Sequence, residues 1–69
     1  MAGLTNRLKV LRAERDLTQA ALAEAAGVSR KTINTIENRV FVPSTVLALT
    51  LAQVLGCRVE DIFALDLSE

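Results

Sequence analysis

Apolar residues recur at helical spacing toward both ends of the chain. Leu4, Leu8 and Leu11 are three and four positions apart, which predicts an amphipathic helix from about residue 5 to residue 15. Farther along, Ser44 is suited to cap a helix, and a second amphipathic helix is predicted from there to about residue 55. The apolar stripe of that helix consists of Leu47, Leu51, Val54 and Leu55.

The stretch from residue 18 to residue 38 predicts two short helices separated by one glycine. The first begins at a Thr18 cap, and Gly27 follows its last residue, where a left-handed C-cap is favoured. The second begins at a Ser29 cap and runs to about residue 38. Its inner side is formed by Val28, Ile33 and Ile36. Two helices joined by a tight turn that contains glycine are typical of a helix-turn-helix, whose second helix enters the DNA major groove.

The pattern changes again toward the C-terminus. Residues 39–43 predict a loop, and residues 60–63 predict one further helical turn. Phe63, Leu65 and Leu67 then stand at every second position, which is typical of a strand. Because a lone strand cannot satisfy its own backbone, two arrangements remain open. The segment pairs with the same strand of a second subunit, or it is a frayed tail whose leucines dock on the helices.

The length and the cysteine content restrict the class of protein further. A chain of 69 residues predicts a single domain, residues 1–69, with a small core. Cys57 is alone and histidine is absent, so we expect no intramolecular disulfide, no metal site and no cofactor. A homodimer is then the natural source of additional buried surface.

The charges balance in number but are unevenly distributed. Eight Lys and Arg residues match eight Asp and Glu residues, and a net charge of zero by itself argues against a nucleic-acid partner. Among the basic residues only Arg58 lies after residue 40, whereas Glu60, Asp61, Asp66 and Glu69 crowd the C-terminus. This distribution predicts a basic N-terminal face that could meet phosphate. The alternative is ordinary solvated surface charge.

Membrane insertion, secretion and catalysis are all disfavoured. The first residues lack a basic region followed by an apolar run, and no apolar stretch approaches the length of a membrane span. The sequence contains no glycine-rich phosphate loop. Its carboxylates show no pairing that would separate a general acid from a general base, as an active site requires. We therefore expect a cytoplasmic, nucleoid-associated protein that has no catalytic residue, no small-molecule ligand and no enzymatic activity.

Residues 18–38 closely resemble the helix-turn-helix of the lambda-type repressor and Cro family, the XRE-like regulators. The resemblance extends over about residues 6–63, through residues 8–12 before the motif and residues 43–63 after it. It is greatest to the minimal stand-alone members, which are small dimeric regulators. It implies an all-α fold, a compact five-helix domain, with the C-terminal strand as a candidate element of the subunit interface.

The resemblance implies that the second helix of the motif contacts DNA bases. Arg30 and Lys31 occupy its first turn, which in the family touches base edges, and Asn34 and Thr35 lie on the same face one turn later. Arginine can bond guanine, and asparagine adenine, through two hydrogen bonds each, so these side chains suit direct base recognition. For all four, the alternative is an ordinary solvated helix face.

The resemblance also implies phosphate contacts near the helix ends. Gln19 and Asn38 stand at family positions that bind the DNA backbone, and we add Ser29 and Arg39 to this set. Arg39 departs from the family pattern, because glycine is often found there and a left-handed backbone is costly for arginine. Either Asn38 absorbs the turn or the loop differs, and Arg39 then compensates by contacting phosphate itself.

Two further features follow from the resemblance. Arg12 and Glu37 match an ion pair that locks the first helix to the third, so removal of either partner is expected to lower stability. Val46 stands where many members have a polar residue, which indicates either local repacking or an apolar subunit interface. The predicted dimer interface consists of Val46, Phe63, Leu65 and Leu67, with residues 57–69 as the candidate dimerisation tail.

Together these observations predict a sequence-specific regulator of transcription, most simply a repressor. It would bind an inverted-repeat operator in double-stranded DNA as a homodimer, with half-sites about 10 base pairs apart or a multiple of that spacing. The alternative is a protein-interaction module, such as the antitoxin of a toxin–antitoxin pair, because a fold does not fix a function. The cationic first turn of the helix at residues 29–38 favours DNA.

Overall fold

The computed structural model describes residues 3–67, which form five helices and a short antiparallel sheet. The elements in chain order are β1 (Gly3–Asn6), α1 (Leu8–Glu14), α2 (Gln19–Ala26), α3 (Arg30–Glu37), α4 (Thr45–Leu55), α5 (Val59–Ile62) and β2 (Phe63–Asp66). The predicted fold class, an all-α compact domain of five helices, is confirmed in its helices, and a two-stranded antiparallel sheet is added to them. The helix-turn-helix consists of α2, α3 and the three residues between them.

Local capping fixes the ends of the central helices. The hydroxyls of Thr18, Ser29 and Ser44 each accept a hydrogen bond from a backbone N–H three residues later, at 3.0, 3.2 and 3.1 Å. Such a bond satisfies one of the free donors at a helix start. Gly27 and Gly56 follow α2 and α4 with φ of 75° and 67°, the left-handed conformation that only glycine adopts at little cost. The predicted bounds of these helices therefore agree with the structure to within a residue.

The predicted start of the first helix is wrong. Residues 3–6 form β1, and α1 begins only after the side chain of Asn6 accepts a hydrogen bond from the N–H of Leu8 at 3.1 Å. Leu4 has helical spacing to Leu8, but its backbone lies in a strand. Its strand partner is Leu65, some sixty residues away, and periodicity within a short window cannot detect such a pairing.

The predicted C-terminal strand forms, but with neither of the expected arrangements. β2 pairs with β1 of the same chain, so that Leu4 lies opposite Leu65 and Asn6 opposite Phe63. The N–H of Arg7 extends this link by donating to the carbonyl of Ile62 at 2.8 Å. The two ends of the described chain are thereby joined beside the helices.

All five helices of the described region contribute to one apolar core. The side chains that are essentially inaccessible to solvent are Leu8 of α1, Leu22 of α2, Ile33 and Ile36 of α3, Leu51 of α4 and Ile62 of α5. Burial of a leucine or isoleucine side chain stabilises a fold by roughly 1.5–3 kcal/mol. Because α3 supplies two of these side chains, its orientation relative to the other helices is set by the core.

Candidate nucleic-acid interface

The helix α3 has one buried face and one face directed to solvent. Ile33 and Ile36 lie in the core, whereas the first-turn residues Arg30 and Lys31 are exposed. Within residues 3–67, neither of these two cations makes a hydrogen bond or an ion pair. Their charges are therefore available to a ligand, and an extended array of phosphates and acceptor-rich base edges is the ligand that such a helix end suits.

Asn34 and Thr35 lie beside these cations. Together with Arg30 and Lys31 they line a shallow concave surface, so the structure brings the four predicted base-contact residues together. The Asn34 side-chain oxygen accepts a hydrogen bond from Asn38 at 2.6 Å, and the Thr35 hydroxyl donates to the carbonyl of Thr32 at 2.9 Å. Because an amide oxygen can accept two hydrogen bonds, Asn34 can keep its bond to Asn38 while it bonds a base edge.

The predicted phosphate contacts are more widely spread and partly engaged. The Gln19 amide donates to Glu37 at 3.0 Å, Ser29 caps α3, and Asn38 bonds Asn34. Arg39 donates to the Asp66 carboxylate at 2.9 Å and to the carbonyl of Leu4 at 3.3 Å. Its guanidinium group is thus turned toward the sheet.

The left-handed turn after α3 falls on Arg39 itself. Its φ is 63°, whereas Asn38 has a φ of −87°, so Asn38 does not absorb the turn. This conformation is unfavourable for a residue with a side chain. The ion pair with Asp66 and the bond to the backbone of Leu4 hold Arg39 in place. Arg39 thus adopts the backbone conformation for which glycine is favoured, and its side chain bonds the sheet.

A polar network fastens α3 to α1 and α2 beneath this surface. Arg12 Nε donates to Glu37 Oε2 at 2.7 Å, and Arg12 Nη2 reaches Oε1 at 3.3 Å. Arg12 Nη1 also donates to the carbonyl of Leu17 at 2.8 Å. The Glu37 side chain is only 3% exposed, and Gln19 completes its set of donors. The structure thus forms the ion pair expected between Arg12 and Glu37 and makes it part of a partly buried three-residue network.

The residues of the predicted dimer interface lie on and beside the sheet and on α4. Val46, Leu65 and Leu67 are 75%, 64% and 75% exposed, whereas Phe63 is half-buried against the core. Leu49, which is 57% exposed, adds to this surface. Below it, an apolar groove runs between α4 and the sheet. Residues that line the groove include Leu4, Ala48, Leu49 and Phe63.

Sequence reasoning missed two polar side chains that position the interface. Asn6 donates to the carbonyl of Ile36 at 2.9 Å and so links β1 to α3. Arg15 donates to the carbonyl of Leu55 at the end of α4 and to that of Leu11 in α1. Arg12, Arg15 and Arg39 are therefore engaged within the protein, and the basic surface is smaller than the sequence predicts. A short polar residue just before a helix was the one local signal for Asn6.

The described part of the chain offers little to other ligand classes. Residues 3–67 contain no group of three or more His, Cys, Asp or Glu side chains arranged to hold a metal ion. No helix in this region has both the length and the apolar character needed to cross a membrane.

The two capped helices, the glycine turn and the solvent-facing cations define a helix-turn-helix protein. The chain belongs to the helix-turn-helix family, whose pattern it matches over residues 8–62. It is 47% identical over 60 residues to MJ0272 of Methanocaldococcus jannaschii, named as an uncharacterized HTH-type transcriptional regulator, covering 87% of this chain and 91% of that one. It is 38% identical over 63 residues to YgzD of Bacillus subtilis, which has the same description, covering 91% and 96%.

Solved structures of regulators have the same architecture. The restriction-modification controller protein C.AhdI of Aeromonas hydrophila superposes with a TM-score of 0.76 at 31% identity, covering 80% of this chain and 83% of that one. The clp gene regulator ClgR of Corynebacterium glutamicum superposes with a TM-score of 0.75 at 31% identity, covering 78% and 57%.

Proposed function

We propose that this protein regulates transcription by binding double-stranded DNA at specific sequences. The observation that carries the proposal is the solvent-facing first turn of α3, where Arg30 and Lys31 have no partner within residues 3–67 and adjoin Asn34 and Thr35. A helix of this kind, fixed by two core isoleucines, can present its side chains to the major groove without reorganising the fold. The names of the similar proteins agree with this role.

In this proposal Arg30 and Lys31 contact base edges or the adjacent phosphates, and Asn34 and Thr35 contact bases one turn later. Gln19, Ser29 and Asn38 orient the protein on the DNA backbone. An amide nitrogen has two N–H groups, so Gln19 can donate to Glu37 and to a phosphate oxygen at once. Arg39 reaches phosphate by opening its ion pair with Asp66, which is partly exposed and therefore weak.

The proposed regulator acts as a homodimer on an inverted-repeat operator. The exposed apolar side chains of Val46, Leu49, Leu65 and Leu67 support this, because water disfavours them and a second copy would cover them. Leu49 lines the same groove as Leu4, which is the strand partner of Leu65. In a two-fold dimer the same patch contacts itself, and the two α3 helices enter successive major grooves about 10 base pairs apart or a multiple of this spacing. Bound at an operator, the dimer represses transcription by excluding polymerase.

Selection of DNA from a random pool tests the function directly. The purified protein is expected to enrich an inverted repeat, and Arg30→Ala with Lys31→Ala is expected to lose or relax that preference. Loss of one good arginine contact to guanine weakens binding by roughly 5- to 150-fold per half-site. Affinities for the enriched sequence are measured by fluorescence anisotropy at fixed salt concentration, since salt changes the phosphate contribution.

A charge-matched control accompanies this experiment. Arg7→Ala with Lys9→Ala removes the same two positive charges from exposed positions outside the candidate site. This variant should select the same sequence as the parent, even if its overall attraction to DNA falls. If the parent enriches nothing at low salt, the proposal fails, and a role in binding a partner protein such as a toxin gains support.

Sedimentation equilibrium tests the dimer. Val46→Glu combined with Leu65→Glu is expected to convert the parent dimer to a monomer, because each charge enters a two-fold interface twice and loses its hydration there. Val10→Glu adds a charge at another exposed apolar position, 46% exposed on α1, and should leave the mass unchanged. A monomeric parent, or a dimer that survives the double substitution, would show that this surface is not the interface.

A further inference from the structure

A second groove adjoins the concave surface on α3, and no sequence pattern had indicated a role for it. Its residues are Ser29, Lys31, Thr32, Thr35, Val40 and Phe41. The groove shares Lys31 and Thr35 with the concave surface formed by the predicted base-contact residues. The two surfaces are therefore continuous, and a duplex that contacts one of them also reaches the other.

The loop after α3 holds two apolar side chains at the edge of this groove. The backbone N–H groups of Val40 and Phe41 both donate to the carbonyl of Thr35, at 2.9 and 3.2 Å. This shared acceptor fixes the loop against the last turns of α3. Yet Val40 is 76% exposed and Phe41 is 46% exposed, so neither side chain is placed there by the core. The apolar side chains of Val40 and Phe41 thus lie next to the cationic start of α3. This arrangement is suited to a ligand that has polar and apolar groups side by side.

Thymine has this combination of groups in the major groove. Its O4 atom is an acceptor, and its C5 methyl group is the apolar group of a base edge, with which phenylalanine and threonine methyl groups make contact. Lys31 supplies a donor on the polar side of the groove, and Phe41, Val40 and the Thr35 methyl supply the apolar side.

We propose that Phe41, supported by Val40, contacts a thymine C5 methyl group and thereby determines specificity for thymine within each half-site. The proposal rests on the proposed DNA-binding function and adds an element outside α3 to the sequence recognition. The loop then acts as a second recognition segment whose position is set by the carbonyl of Thr35.

Replacement of thymine by uracil, introduced as deoxyuridine, tests the proposed methyl contact. It removes the C5 methyl group and leaves the hydrogen-bonding groups of the base unchanged. In the enriched operator, each thymine is replaced in turn, symmetrically in both half-sites, and dissociation constants are measured with the parent and with Phe41→Ala. At one thymine position the substitution is expected to lower the affinity of the parent about fourfold for each buried methyl group, or about 15-fold when both half-sites are changed. Phe41→Ala should bind the two DNAs almost equally, and Phe41→Leu should retain part of the difference.

The ratio of affinities for the two DNAs is taken within each variant, so an altered folded fraction does not affect it. Val42→Ala, which truncates a 65%-exposed residue of the same loop outside the groove, is the matched control and should keep the parent ratio. Equal deoxyuridine penalties in the parent and in Phe41→Ala, or no penalty at any thymine, would overturn the proposal. Either result leaves DNA binding itself intact, whereas failure of the parent to enrich any sequence contradicts the proposed function instead.

Discussion

Replacement of Arg12 by alanine is expected to lower the free energy of unfolding by about 3–5 kcal/mol. The Glu37 carboxylate would keep its charge in an almost solvent-free position, and among residues 3–67 the Gln19 amide would be its one remaining side-chain donor. The carbonyl of Leu17 would also lose its side-chain partner. For a chain of this length the total stability is roughly 3–10 kcal/mol, so the loss is a large part of it. Urea unfolding followed by circular dichroism measures the change.

Two further variants separate the buried network from ordinary surface charge. Arg58→Ala breaks an exposed ion pair with Glu60 and should change stability by no more than about 1 kcal/mol. Arg12→Met combined with Glu37→Met removes both charges and fills the space with apolar atoms, so it should recover much of what Arg12→Ala loses. Equal unfolding midpoints for the parent and Arg12→Ala would contradict the structural role of this pair. At temperatures where it is folded, Arg12→Ala should retain the DNA sequence preference of the parent.

Truncation of Ile33 to alanine is expected to have an effect of similar size, about 2–5 kcal/mol. Arg30 and Lys31 of α3 are exposed, whereas Ile33 and Ile36 attach the helix to the core, together with the Glu37 network and the bond from Asn6 to the Ile36 carbonyl. A cavity beneath the helix would weaken one of these attachments. The same denaturation experiment measures the loss.

Graded and outward-facing substitutions complete this test. Ile33→Val removes one methylene group and should cost about 0.5–1.5 kcal/mol, which keeps the protein folded if Ile33→Ala does not fold. Lys31→Ala, on the exposed side of the same helix, should leave stability almost unchanged while weakening binding to DNA. If Ile33→Ala and Lys31→Ala have the same unfolding free energy, the core does not anchor α3 as described.

The candidate site shows which kinds of information a sequence contains. The motif, the caps at Thr18 and Ser29 and the exposed cations of α3 could be predicted because each depends on residues within one or two helical turns. The hydrogen bonds made by the Asn34 and Thr35 side chains are equally local, but a sequence does not specify the rotamers that form them. The groove of Val40 and Phe41 needed the structure, because these residues appear in the sequence only as part of an apolar loop.

Local chemistry in the sequence by itself determined most of the helices and the family to which the chain belongs. Hydroxyl N-caps, glycines that end helices and the spacing of apolar residues act over three to five residues, so they can be recognised from the sequence alone. Only the tertiary structure decided the pairing of β1 with β2, the left-handed conformation of Arg39 beside Asp66 and the bonds of Asn6 and Arg15 to other helices. These contacts join residues 27 or more positions apart, and they exist because the packed helices bring those positions together.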